Sequence, residues 1–129
     1  MSTPFNPTIA TFKCNEDLSS SAWFLVRPVG GADGDIEPAG AGELAMGALT
    51  NDVAAGTAAA PVYVPVQVGG IIKVSCGGAC VAGSLAMSDA SGEAVTATTG
   101  NYAIGIALGE YVDGEIGSFL WAPSYLETT

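Results

Sequence analysis

The chain has no histidine, three basic residues (Lys13, Arg27, Lys73) and three cysteines (Cys14, Cys76, Cys80) in 129 residues. Each shortage excludes some chemistry. Without imidazole, Ser-His-Asp and Cys-His catalysis are unavailable in their usual forms. A Ser-Lys arrangement would need Lys13 or Lys73 desolvated, and Lys73 follows a tight turn on a strand, where an exposed charge is expected. A structural zinc site wants four Cys or His ligands, and here there are at most three thiols. Thirteen acidic residues against three basic ones give a net charge of −10. That leaves no basic footprint for nucleic acid.

An odd cysteine count does not make a secreted disulfide scaffold. Three reduced, mostly buried thiols, made in a reducing cytosol, fit the composition. Residues 1–15 lack a basic start followed by an apolar run, so no signal peptide is expected. The longest uncharged stretch, residues 53–72, would be long enough to span a bilayer. It carries Gly56, Pro61, Pro65, Gly69 and Gly70, and residues 62–68 alternate with period two, so it reads as strand and no membrane partner is expected.

What the chain does have is apolar content (49%) with little charge (12%), and 18 glycines. That suffices for the core of one domain without a metal or a disulfide, and no cofactor or metal is expected. Residues 1–12 read as an extended arm, because Pro4 and Pro7 remove donors and bias their predecessors away from helix. Residues 15–19 suggest one short helical turn. Residues 23–29 are a strand candidate, 30–42 a glycine-rich acidic loop and 43–49 a weak strand. Asp33-Gly34-Asp35 opens like a calcium loop, but Pro38 and Leu44 stand where its glycine and last acid belong, so a solvated loop is expected.

Val62, Val64, Val66 and Val68 precede Gly69-Gly70 and a second β-rich run to Cys76, which reads as a hairpin with a primed turn. Pro65 makes the first of these strands an edge or a bulge. Residues 85–96 read as a second hairpin about Asp89–Gly92, and residues 102–122 as a third with a turn near Asp113-Gly114. In the last, Tyr102, Ile104, Ile106 and Leu108 are expected on one face and Ala103, Gly105, Ala107 and Gly109 on the other. A spacing of 58 aligns Ala45-Met46-Gly47 with Ala103-Ile104-Gly105, and Gly56 with Gly114. In a chain this rich in Ala and Gly that match is within chance, and no repeat is predicted from it.

About eight short strands between turn signals predict an all-β fold. The expectation is a small β-barrel or sandwich of short hairpins, with an extended arm over residues 1–15 and a single β-domain over 16–129. No catalytic constellation stands out, so the chain reads as a non-enzyme that acts through its surface. Phe5, Pro7, Ile9 and Phe12 in the arm, and Trp121 and Tyr125 near the C-terminal end, are the candidate interface residues, because aromatic anchors concentrate at interfaces. They could equally close the bottom of the barrel.

Several segments resemble the head decoration, or cement, proteins of tailed bacteriophages. They are Met46-Gly47-Ala48-Leu49-Thr50-Asn51, residues 62–68, residues 71–75, Ala82-Gly83-Ser84-Leu85, residues 89–92 and Ile104-Gly105-Ile106-Ala107. The resemblance implies a virion structural protein on the outer capsid surface. Its partners would be the major capsid protein and copies of itself, as a trimer or a dimer. It brings no catalytic residues. A charge of −10 suits solubility before assembly and indifference to DNA. A glycan- or receptor-binding β-domain of a phage fibre or surface layer is the alternative, with Trp23 and Trp121 as sugar-stacking candidates.

Overall fold

The computed structural model describes residues 8–14, 16–29, 35–50, 53, 56–57 and 60–127. These build ten strands and no helix: β1 (Thr8–Cys14), β2 (Leu25–Pro28), β3 (Ile36–Pro38), β4 (Gly47–Leu49), β5 (Val62–Gly69), β6 (Ile71–Ser75), β7 (Leu85–Ser88), β8 (Ala94–Thr96), β9 (Tyr102–Ala107) and β10 (Ile116–Tyr125). They form two antiparallel five-stranded sheets in a sandwich-like arrangement, with orders β1-β5-β4-β2-β3 and β6-β10-β9-β7-β8. The all-β expectation holds.

Adding five to every label of the first order gives the second. The two sheets are therefore the same unit built twice. Backbone bonds outside the ladders repeat as well: Ala39 N–H donates to Leu25 O and Ala97 N–H to Leu85 O, both at 2.9 Å. Leu49 N–H to Phe24 O (2.9 Å) corresponds to Ala107 N–H to Ser84 O (3.0 Å). Each sheet also rolls until its two edge strands touch through one parallel bridge, Lys13↔Asp35 in the first and Cys76↔Ala94 in the second. A polar side-chain pair sits at each meeting point. Lys13 Nζ lies 3.6 Å from the buried Asp35 carboxylate, and Ser75 Oγ donates to Glu93 Oε2 at 2.7 Å.

Each unit has its own core. Cys14, Leu18, Val26, Ile36, Leu49, Val64 and Val66 fill the first. Ile72, Val74, Cys76, Ala86, Ile104 and Phe119 are among those filling the second, where Tyr111 packs at the margin. The register explains the match: Phe12 faces Val64 and Ala10 faces Val66, as Val74 faces Gly117 and Ile72 faces Phe119. Within each unit a smaller pair is offset by a larger one, Ala10–Val66 by Phe12–Val64 and Val74–Gly117 by Ile72–Phe119, so both interiors fill.

Several sequence expectations change. The run through Gly69-Gly70 is not a hairpin: β5 and β6 belong to different sheets. Gly70 takes the expected positive φ (79°), but the corner passes the chain from one unit to the next. Second, β5 is not an edge strand, since β1 and β4 flank it. Pro65 is tolerated because it lies one residue beyond the last β4 pairing, Leu49↔Val66. A bulge does occur nearby, between Thr8 and Ile9. Third, the acidic loop contains strand β3, held to β2 by Val26↔Pro38 and Pro28↔Ile36 and by the Arg27–Glu37 ion pair at 2.6 Å. Fourth, the clean alternation of β9 is broken. Register slips at Ala86/Met87 and at Trp121/Ser124 mark a bulge at Ile104. Ile104 therefore joins the core while Ile106 stays outward. The bulge needs Gly105, with φ 152°, since a side chain there would strike the Leu120 carbonyl.

The extended stretch expected over residues 1–15 is ordinary sheet from Thr8 on, and Met1–Pro7 lies outside the described residues. Of the expected helical turn at 15–19, Asp17 and Ser19 instead make an Asx turn, with Asp17 Oδ1 accepting Ser19 N–H at 3.0 Å and Ser19 Oγ–H at 2.6 Å; these bonds hold the exposed Asp17 carboxyl below its ordinary range. Asn15 is outside the described residues.

The join between units is polar at its centre. Gln67, 3% exposed, donates to Leu49 O (3.1 Å) and Lys73 O (3.0 Å) and accepts from Lys73 N–H (2.9 Å). Its amide thus pairs with the peptide of a β6 edge residue as a neighbouring strand would. Replacing Gln67 by Leu keeps the volume and removes all three bonds. The expected loss of unfolding free energy is about 3 kcal/mol, measured by urea denaturation. A loss below about 1 kcal/mol would show that the amide is dispensable.

Candidate interaction surface

Phe5 and Pro7 lie outside the described residues. Ile9 is on β1 opposite Gln67 and is 47% exposed. Phe12 turns inward and packs against the first core, and Trp121 leans on the second. Tyr125, half exposed, stands opposite Tyr102 with ring centroids 5.0 Å apart and planes at 59°. Of the candidate interface residues that are described, Ile9 and Tyr125 are the exposed ones. The other tryptophan, Trp23, has a left-handed φ of 69°, and its carbonyl accepts Ser75 N–H at 2.9 Å across the join.

The register exposes a feature that sequence reading missed. Leu120 pairs with Ile71 on one side and with Ile106 on the other, and Ile106 pairs with Leu85. Directly opposite residues share a face, so these four make one apolar row across β6, β10, β9 and β7. Their chain neighbours Ile72, Phe119, Ala107 and Ala86 are buried inside the unit. The row therefore points out, with Leu120 41% exposed and the other three half-buried. The same row of the first unit is Ile9, Gln67, Ala48 and Leu25. There Gln67, Ala48 and Leu25 are buried under the second unit, and Leu25 and Ala48 are part of the second unit's core cluster. One row is covered within the chain; its counterpart is partly open, most of all at Leu120. Residues so far apart in sequence give no periodic signal, and only strand order brings them together.

The ion pairs of Arg27 lie on the first unit, away from this row. Arg27 reaches Glu37 and, at 3.3 Å, Glu43. Both contacts are partly solvated and add little to stability. Among the described residues, no group of three or more His, Cys, Asp or Glu side chains is placed to hold a metal ion. Cys76 and Cys80, the ends of the C-x-x-x-C loop, are buried free thiols in the second core, and Cys14 is their counterpart in the first.

Burial raises all three thiols, and desolvation together with the neighbouring Cys80 pushes Cys76 up to about 12. The folded chain keeps these groups neutral at pH values where an unfolded thiol, near 9.0, has ionised. The contribution of Cys76 is complete below about pH 9 and is lost as pH rises towards about 12. The denaturation midpoint should fall across that window, and fall less in Cys76→Ala. Reductant should leave the midpoint unchanged at neutral pH. A midpoint flat to about pH 12, or one lowered by reductant, would contradict the burial of free thiols.

No family model matches the chain, and no curated protein matches its sequence. A solved structure does resemble it: the head fiber gp8.5 N base of bacteriophage phi29, with 19% identity and a TM-score of 0.72, covering 94% of this chain and 100% of that one. At that identity the likeness establishes a shared fold, which extends over both units.

Proposed function

We propose that this chain is a bacteriophage virion structural protein that binds the outer surface of the head. The observation that supports this most is the likeness to a head fiber base over nearly the whole chain. In that setting the features of the surface have a use. A net charge of −10 keeps many copies soluble and apart before assembly. The outward apolar groups give docking area with little charge to desolvate. Several weak contacts per particle add up, because a second contact made on the same surface is intramolecular.

As a decoration protein the chain would bridge major capsid protein subunits through Phe5, Pro7, Ile9 and Tyr125, and assemble as a trimer. The likeness to a fiber base favours a second reading, in which the chain is the foot that holds a fiber on the head. Both readings require binding to the capsid. Purified heads lacking the protein should bind it saturably in a co-sedimentation assay. Removing residues 1–7 leaves β1 and its pairing with β5 in place, and should weaken binding about tenfold, or about 1.4 kcal/mol. Heads that sediment without the full chain would overturn the proposal. Unchanged binding by the shortened chain would remove its first seven residues from the contact.

A further inference from the structure

We infer that the partly open row Ile71, Leu120, Ile106 and Leu85 is the seat for the β1 edge of a second copy of this chain, which repeats between copies the contact that joins the two units within one copy. The inference rests on the self-assembly part of the proposed function and not on capsid binding. Within the chain, the covered row of the first unit receives the β6 edge of the second: Gln67 holds the Lys73 peptide, and Trp23 O accepts from Ser75 N–H. The register makes β1 the counterpart of β6. Phe119 stands to Ile72 as Val66 stands to Ala10, so Thr11 corresponds to Lys73 and Lys13 to Ser75. Thr11 is exposed. Each chain thus carries an open row on its second unit and, on its first, a β1 edge exposed at Ile9 and Thr11, while Lys13 is taken up by its bridge and ion pair to Asp35.

Contact between a row and an edge is head to tail, so every copy uses two different faces. Such a contact closes a ring or runs on as a filament, according to the rotation it repeats. Three copies, with six units, would be the trimer proposed above. The contact between copies is weaker than the internal one for two visible reasons. Leu120 stands where the first unit has Gln67, so no amide clamps the incoming edge. Gly42 N–H donates to Ser88 O across the internal join, whereas its counterpart Gly100 N–H is already taken by Leu126 O at 2.6 Å. Association should therefore be reversible. Because like-charged chains meet through apolar groups, added salt should strengthen it by screening repulsion.

The test is analytical ultracentrifugation of the full chain without heads, at rising concentration and at two salt concentrations. The wild-type chain should sediment as multiples of 12.8 kDa, with the larger species favoured at high salt. Leu120→Glu and Thr11→Glu should each reduce the mass to one chain, while Val112→Glu, at an exposed loop residue, should not. An equal mixture of Leu120→Glu and Thr11→Glu should recover a species of two chains, because one intact row then meets one intact edge. Circular dichroism confirms folding, and Ile106→Glu replaces Leu120→Glu if the latter unfolds. A wild-type chain that stays single at every concentration, or association that survives Leu120→Glu, would overturn the inference. So would a mixture that stays single, the signature of a face-to-face contact. The assay contains no heads, so its failure leaves the capsid-binding reading to its own experiment.

Discussion

Gln67 sits where two sheets meet without a shared ladder, and its side-chain amide supplies the hydrogen bonds that a paired strand would have supplied. The edge of β6 is brought against the first unit at that point, and its peptide groups would otherwise be desolvated without compensation. A buried glutamine satisfied on both sides fixes how the second unit is turned on the first. It is also the geometry that buries Leu25 and Ala48 in a core made mostly by the other unit. The apolar contact supplies most of the stabilisation. The amide supplies the register.

The rest of the architecture follows from building one unit twice. A five-stranded sheet has two edges, and edges invite unwanted pairing. Here each sheet rolls until its edges touch, with a polar pair at the seam. The seam is an ion pair in one unit and a hydroxyl–carboxylate hydrogen bond in the other. Different chemistry holding the same place argues that the backbone arrangement, not a particular residue pair, is what the two halves share. The two outer rows have diverged in the same way. One carries the glutamine that locks the units together; the other is aliphatic throughout.

The sequence was readable where structure is local. The β7–β8 hairpin and the β9–β10 pairing follow from short turns and alternating residues, and both form. Gly69-Gly70 misled because glycine reports a permissive φ and not which strands the turn connects. Strand β3 was hidden because three residues among acids and glycines carry no pattern until Arg27 and Val26 pair with them. The duplication left a trace at a spacing of 58, but that spacing is not constant. Cys14 to Cys76 is 62, Leu25 to Leu85 is 60, Ala45 to Ala103 is 58 and Gln67 to Leu120 is 53. Loops of different length slide the halves out of step, and no single offset reveals them. Phe12 read as an arm anchor because its inward pairing with Val64 depends on residues fifty positions away. The exposed row was out of reach for the same reason, since its four members come from four strands.

Under the proposed function the protein acts through its surfaces. It has a rigid β scaffold, thiols kept neutral by burial, and one apolar row left open at the place where its twin is closed. Electron cryo-microscopy of heads carrying the protein tests this most directly. The account predicts density on the outer surface in which each chain contributes two rolled five-stranded units, with the Leu120 row of one chain beneath the β1 edge of the next. Heads without such density, or chains bound singly with that row facing solvent, would contradict it.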